Sequence, residues 1–171
     1  MSNPFRKARR EKRRTKPYHP RPIRTPMIVG TDLVLRPLEQ IIEQLERDGT
    51  AITDSKGYPV FQAGDGQWYP SADAIEGVIW HMEMHCTRHG RALPLEGLRE
   101  LHIALKYLAP VMESTLAKLD KEMPALRRAM AMADPDDQLD LLRQTQVKAE
   151  LESVTAAAID RHNPKEASRG P

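Results

Sequence analysis

The run RKARREKRRTK, Arg6 to Lys16, places eight basic side chains in eleven positions and no large apolar one. Such a segment cannot help build a hydrophobic core, because each buried charge would need its own partner. The segment that follows, KPYHPRPIRTPM, holds four prolines, Pro17, Pro20, Pro22 and Pro26. They remove backbone donors and favour polyproline II over helix. Residues 1–30 are therefore expected to form a disordered or extended arm, with helix over residues 5–15 only in a bound state. The core must come from the chain beyond.

Charge divides the chain at the same place. Residues 1–30 hold ten Lys/Arg against one acid, Glu11, a net of +9. The remainder holds sixteen basic and twenty-three acidic residues, a net of −7, so that the whole chain stands at only +2. A basic arm sits on an acidic body, and this asymmetry is the strongest functional signal in the sequence.

At 171 residues the chain has room for one domain with appendages, and an apolar share of 40% allows a modest core. A single cysteine, Cys86, excludes an internal disulfide framework and fits a reducing, cytoplasmic compartment. No apolar run approaches a membrane span, and no apolar segment follows the basic start as it would in a secretory signal.

From Thr31 apolar residues recur at helical spacing. Leu35, Leu38, Ile41, Ile42 and Leu45 predict a helix over 33–48, capped by Thr31 or Asp32 and ended by Gly49. Pro37 is expected in its first turn. Two β-prone runs, 51–53 and 58–62, and a third at 67–69 are punctuated by DSKG and AGDG, which reads as a small hairpin or meander. Ser71 is expected to cap a second helix carrying Ile75, Val78, Ile79, Met82 and Cys86, with Gly90 as its C-cap. A third starts near Pro94 and carries Leu98, Leu101, Ile103, Leu105 and Leu108. A further segment runs through Met112, Leu116 and Leu119, and Pro124 is expected to open a short helix over 125–133. Asp134 and Pro135 then start a last helix to about Ile159, which could project or pair with a partner helix. The fold class expected is mainly α. A small helical domain over 31–160 carries an inserted β-hairpin near 51–69, between the disordered basic N-terminal arm and a disordered tail at 161–171.

Three groups of residues could carry function. The first is the arm. Arg6, Lys7, Arg9, Arg10, Lys12, Arg13, Arg14 and Lys16, with Arg21 and Arg24, could neutralise phosphates and release counterions. The eight in the run allow roughly four to eight phosphate contacts. Guanidinium suits phosphate bidentately and stacks on unpaired bases, and Phe5 and Tyr18 flank the run. The alternatives are an anionic protein partner, the molecule's own acidic body, or no specific partner.

The second is WHMEMHCTRHG. His81, His85 and His89 recur every four residues on one side of a helix, with Glu83 and Cys86 nearby. A histidine pair at this spacing can chelate zinc, but His81 and His89 lie about 12 Å apart along the axis, too far to share one ion. The order is H-x-E-x-H, which is not the metalloprotease arrangement. Ordinary helix residues are the leading reading. A histidine-lined partner surface comes second and a metal site third.

The third group is apolar. Trp68 and Tyr69 are read first as core and second as an exposed recognition tip. Met123, Met130 and Met132 are read first as core and second as a deformable interface. No nucleophile has a base at recognisable spacing, and neither an enzyme activity nor a cofactor is expected.

The segment FRKARREKRRTK resembles the arginine-rich motifs of phage antitermination peptides and of ribosomal-protein tails, which fold on RNA. KPYHPRPIRTPM, followed by a helical body, is similar to a stretch in small proteins of proteobacterial phages and integrated elements. Their pattern runs Y-R-P-K-P-[VI]-x-x-P-M. His19 stands where that pattern has its first arginine, and Arg21 replaces its lysine. The resemblance implies an accessory protein of a mobile element. A helix-turn-helix is not evident, since the turn at Gly90 is followed by Pro94 and by a nearly neutral helix.

The expectation is thus a cytoplasmic accessory protein that binds DNA or RNA through its arm. Its helical body would supply contacts to a host or phage protein, or to a second copy. The alternatives are an adaptor or inhibitor of a host complex acting through the acidic body, and a metal-binding protein built on the histidine-rich helix.

Overall fold

The computed structural model describes residues 27–162. It is mainly helical. Five helices, α1 (Met27–Asp48), α2 (Ser71–His89), α3 (Glu96–Lys106), α4 (Glu113–Met132) and α5 (Pro135–His162), surround one core. A two-stranded antiparallel hairpin, β1 (Val60–Gln62) and β2 (Trp68–Pro70), is inserted between α1 and α2. Residues 1–26 and those beyond His162 lie outside the described residues; residues 27–30, expected as the end of the extended arm, and 161–162, expected in the tail, are instead helical, as the first turn of α1 and the end of α5.

The periodic leucines make the core. Leu35, Leu38 and Ile41 of α1, Ile75 and Met82 of α2, Leu98 and Leu101 of α3, and Leu119 and Leu126 of α4 are all buried. Helix α1 packs against α2, α4, α5 and β1, while α3 bridges α2 and α4. Gln44 fixes α1 to the hairpin by donating from Nε2 to the Val60 carbonyl at 3.1 Å. Among the described residues no helix is long and apolar enough to cross a membrane.

The hairpin pairs Val60 with Pro70, Phe61 with Tyr69 and Gln62 with Trp68. Its turn needs Gly66, which sits at φ 81°, where side chains other than glycine's are strained. A bridge from Thr53 to Pro59 precedes it, folded over a turn in which Asp54 accepts from the Lys56 and Tyr58 amides.

Two prolines depart from expectation. Helix α1 begins at Met27, ahead of the expected start at residue 33, so Pro37 stands inside the helix. Val34 and Leu35, on its N-terminal side, share the buried face with Leu38 and Ile41. Burying both groups requires the helix to run through the proline, and Leu33, whose carbonyl the proline cannot serve, is itself an exposed residue. Pro124 likewise lies inside α4 and starts no separate helix. Leu119 and Met123 before it and Leu126 and Met130 after it are all buried, so continuity serves the core.

Smaller corrections follow from caps. Ser71 is the first helical residue of α2, and Pro70 occupies the N-cap with no side-chain cap bond. Gly90 does cap its C-terminus at φ 59°. Leu108 lies beyond α3 at φ 56° and is exposed, as is Ile103, so neither joins the α3 core stripe. Asp134 caps α5 as its sequence implies, accepting from the Asp136 and Asp137 amides, with Pro135 at the first helical position.

The contact of α3 with α4 depends on Gly97. Its amide donates to Oε1 of the buried Glu122 at 2.9 Å. A Cβ at Gly97 would lie 3.0 Å from Lys118 Cβ and 3.1 Å from the Leu119 backbone nitrogen. Gly97→Ala is therefore expected to destabilise the protein by about 1–2 kcal/mol despite alanine's better helix propensity. Gly77→Ala, where an added Cβ meets nothing within 4 Å, is expected to stabilise by up to about 1 kcal/mol. Denaturant unfolding of both variants would check the opposite signs.

Candidate functional site

The histidine row of α2 divides by environment. His81 and His85 are buried at 1% and 3% exposure, whereas His89 reaches the surface. Spacing of four residues puts them on one side of the helix, the side that packs against α5, yet their exposure differs along its length. Near the C-terminus of α2, Arg88 pairs with Asp137 and Asp140 of α5, and His89 Nε2 lies 2.8 Å from Asp137 Oδ2. The Arg88 cation at the end of α2 thus meets acids at the start of α5, which suits both helix dipoles. Arg88 holds the Asp137 carboxyl below its ordinary range, with His89 adding to the effect.

The rings of His85 and His89 lie 4.4 Å apart, tilted by 50°. Burial, and secondly the neighbouring His89, lowers the pKa of His85. His81 is affected most strongly. Burial, reinforced by His85 and only partly opposed by Asp137, lowers it to about 4. It is neutral at pH 7, and neither of its ring nitrogens meets a protein partner. Among the described residues no group of three His, Cys, Asp or Glu is arranged to hold a metal ion. Cys86 is a free, half-buried thiol on the same helix.

His81 lines a cleft of about 640 Å³ formed where α1, the hairpin, α2 and α5 meet. Val34 and Pro37 of α1, Phe61 and Tyr69 of the hairpin, Val78 of α2 and Leu142 of α5 make its walls apolar. Asp65 and Asp73 stand on its lining as well. Asp65 accepts from the Gln67 amide and from the Tyr69 hydroxyl, and these two bonds hold its carboxyl below the ordinary range. Helix α1 carries its part of this wall because the chain stays helical through Pro37.

A second exposed feature lies on α5. Val147, Leu151 and Val154 are between 55% and 67% exposed and follow one another at steps of four and three. Lys148 covers the Trp80 ring at 4.0 Å beside them. This is the spacing of a helix-pairing seam.

The arm residues Arg6, Lys7, Arg9, Arg10, Lys12, Arg13, Arg14, Lys16, Arg21 and Arg24 lie outside the described residues. The core reading of the tip aromatics is corrected. Trp68 and Tyr69 are half-exposed, and Phe61 is the hairpin's buried aromatic, its ring 6.1 Å from that of Tyr69. Phe61 is the one buried position of β1, whereas all three residues of β2 are exposed; Tyr69 shares Phe61's face as its cross-strand partner but lies at the open side of the hairpin. Met123 and Met130 are core, whereas Met132 is exposed. Sequence reasoning missed the cleft, whose walls come from four separate stretches. The one available signal was Phe61 within a run of turn residues. Comparisons with models of protein families, with curated proteins and with solved structures found no match to this chain.

Proposed function

We propose that this protein binds nucleic acid through its arginine-rich N-terminal arm and uses the helical body for protein–protein contact. The observation that carries this reading is the division of charge. A net of +9 gathered in thirty residues gives a dense phosphate-binding segment, whereas the body, at net −7, would be repelled by the same ligand. Affinity of this kind is strong, salt-dependent and poor in sequence specificity. The similarity of KPYHPRPIRTPM to a stretch in phage and integrated-element proteins supports an accessory role in such an element, inside the cytoplasm.

A second reading has its own support. The exposed seam Val147, Leu151 and Val154 is an apolar strip that the body leaves uncovered among the described residues, and it lies on an acidic body. An adaptor or inhibitor docking a basic protein surface would use that strip and treat the arm as ancillary.

The two readings separate on one variant. Replacing Arg9, Arg10, Arg13 and Arg14 together by glutamine in the full chain is expected to weaken binding to short duplex DNA and single-stranded RNA by at least about 100-fold at low salt. Replacing the arginines two at a time should produce graded losses. Fluorescence anisotropy would measure both. Unchanged affinity in the fourfold variant removes the arm as the binding element. Abolition by a single substitution would instead mean a structured site.

A further inference from the structure

The corner between α3 and α4 combines two features that folding alone does not explain. The first is an exposed apolar run. Residues 107–112, YLAPVM, carry no charge. Tyr107, Leu108 and Met112 are 73%, 59% and 60% exposed, and Ile103, one helical turn before Tyr107, is exposed as well. A patch of this kind on an otherwise charged body marks an interaction site. The second feature is in the backbone. Helix α3 ends in a Schellman turn, in which the Ala109 amide donates to the Ala104 carbonyl at 2.8 Å and the Leu108 amide to that of Leu105 at 3.4 Å. Such a turn needs a left-handed residue, usually glycine, because a Cβ is crowded there. After α1 and α2 the chain places Gly49 and Gly90 in that conformation, at φ 71° and 59°. After α3 it places Leu108, at φ 56°, the one residue other than glycine with positive φ among the described residues. A side chain that is both strained and exposed gives the isolated molecule nothing that glycine would not, and strain kept in this way points to a function.

The surroundings define the partner. Leu108 stands on the rim of a hollow of about 330 Å³ walled by Ala51, Pro59, Ala104, Ala109 and Pro110. Knob and hollow therefore share one face, which is the condition for an isologous contact. The flanking charges fit the same operation. Lys106 precedes the uncharged run and Glu113 follows it, and both are exposed, Lys106 beside Glu76. Two copies of the run laid antiparallel set Lys106 against Glu113 of the partner subunit at both ends. We propose that the α3–α4 corner is a two-fold interface with a second copy of this chain, Leu108 of each copy seated in the hollow of the other. Two such patches bury on the order of 1,000 Å², the low end for a specific interface, so association is expected in the micromolar range. A second copy as partner deepens the protein-contact role given to the body and rests on that reading. Its test contains no nucleic acid, so the two fail separately.

The test is sedimentation equilibrium of the full chain from about 1 to 500 µM, at about 0.15 M and 0.5 M salt. The expected result is a mass that rises from one chain toward two, with a Kd that differs by less than about threefold between the salts, because an apolar contact is not screened. Leu108→Gly should raise the Kd at least about tenfold. Its Tm at low concentration should be unchanged or raised by up to about 4 °C, since the left-handed strain is relieved. Leu108→Asn, which tolerates the same φ but removes the apolar knob, should weaken association likewise and serves should the glycine variant fail to fold. At the lower salt Glu113→Lys should raise the Kd about three- to tenfold, and adding Lys106→Glu should restore it. A chain that stays monomeric to about 500 µM would overturn the proposal. So would association unchanged in a folded Leu108→Asn protein, or association lost in Leu151→Ser but kept in Leu108→Asn, which would move the contact to the seam of α5.

Discussion

Leu38→Ala is expected to cost about 3–5 kcal/mol, enough to consume a large part of the stability of a domain of this size. Leu38 is fully buried, and its helix α1 touches α2, α4, α5 and β1. Truncation there opens a cavity where several elements converge, and helices that are fixed elsewhere by their own leucines can relax into it only partly. The corresponding fall in Tm is roughly 6–20 °C for a chain of this length. Ile103→Ala, on the solvent side of α3, should change stability by no more than about 0.5 kcal/mol. Thermal and denaturant unfolding of the pair would check the contrast. A loss at Ile103 equal to that at Leu38 would contradict the packing described above.

Acid is expected to produce the second large effect, and His81 is the reason. Its pKa in the folded chain is about 4, against an ordinary value of 6.5, because burial opposes the charged ring. The unfolded chain therefore binds more protons between these values, and stability rises with pH across that window. The contribution is fully present above pH 6.5 and is lost as pH falls towards 4, amounting to up to about 3 kcal/mol. His85 and His102 are also lowered by burial and act in the same direction. Asp137, held low by Arg88, adds a loss of its own only at still lower pH. Urea unfolding from pH 7 down to pH 4 should show this decline in the full chain. In His81→Phe, which keeps the volume and removes the titrating group, the decline should be visibly smaller. Identical pH dependence in the two proteins would place the effect elsewhere.

Much of this fold was legible in the residues themselves. Leu35, Leu38, Ile41 and Leu45 at steps of three and four specify one buried face, and α1 buries it. Asp134 and Pro135 announce a helix start, and Gly90 an end, because a side-chain acceptor, a fixed φ and a left-handed cap are local chemistry. The prolines at 37 and 124 misled for the opposite reason. Their cost is local, but the burial that outweighs it is tertiary and spans apolar residues on both sides of each ring. The same limit applies to the site. His81, His85 and His89 have equal spacing and chemistry in sequence, and only the tertiary packing around α2 decides that His81 and His85 are buried and His89 is not. The cleft joins residues from 33–37, 61–70, 73–81 and 142–146, a proximity that no periodicity encodes. The arm is the reverse case. Its charge is plain in sequence and owes nothing to the fold.

The measurement that tests the central claim most directly is the affinity of the full chain for short duplex DNA and for single-stranded RNA, repeated across a series of salt concentrations. Four to eight phosphate contacts predict that log affinity falls linearly with log salt, with a slope of roughly −4 to −7 on duplex or −3 to −6 on single strands. The slope should flatten by about one unit for each phosphate-contacting arginine replaced in the arm. Binding that is insensitive to salt, or a slope unchanged when Arg9, Arg10, Arg13 and Arg14 are glutamine, would contradict the account and turn attention to the exposed seam of α5.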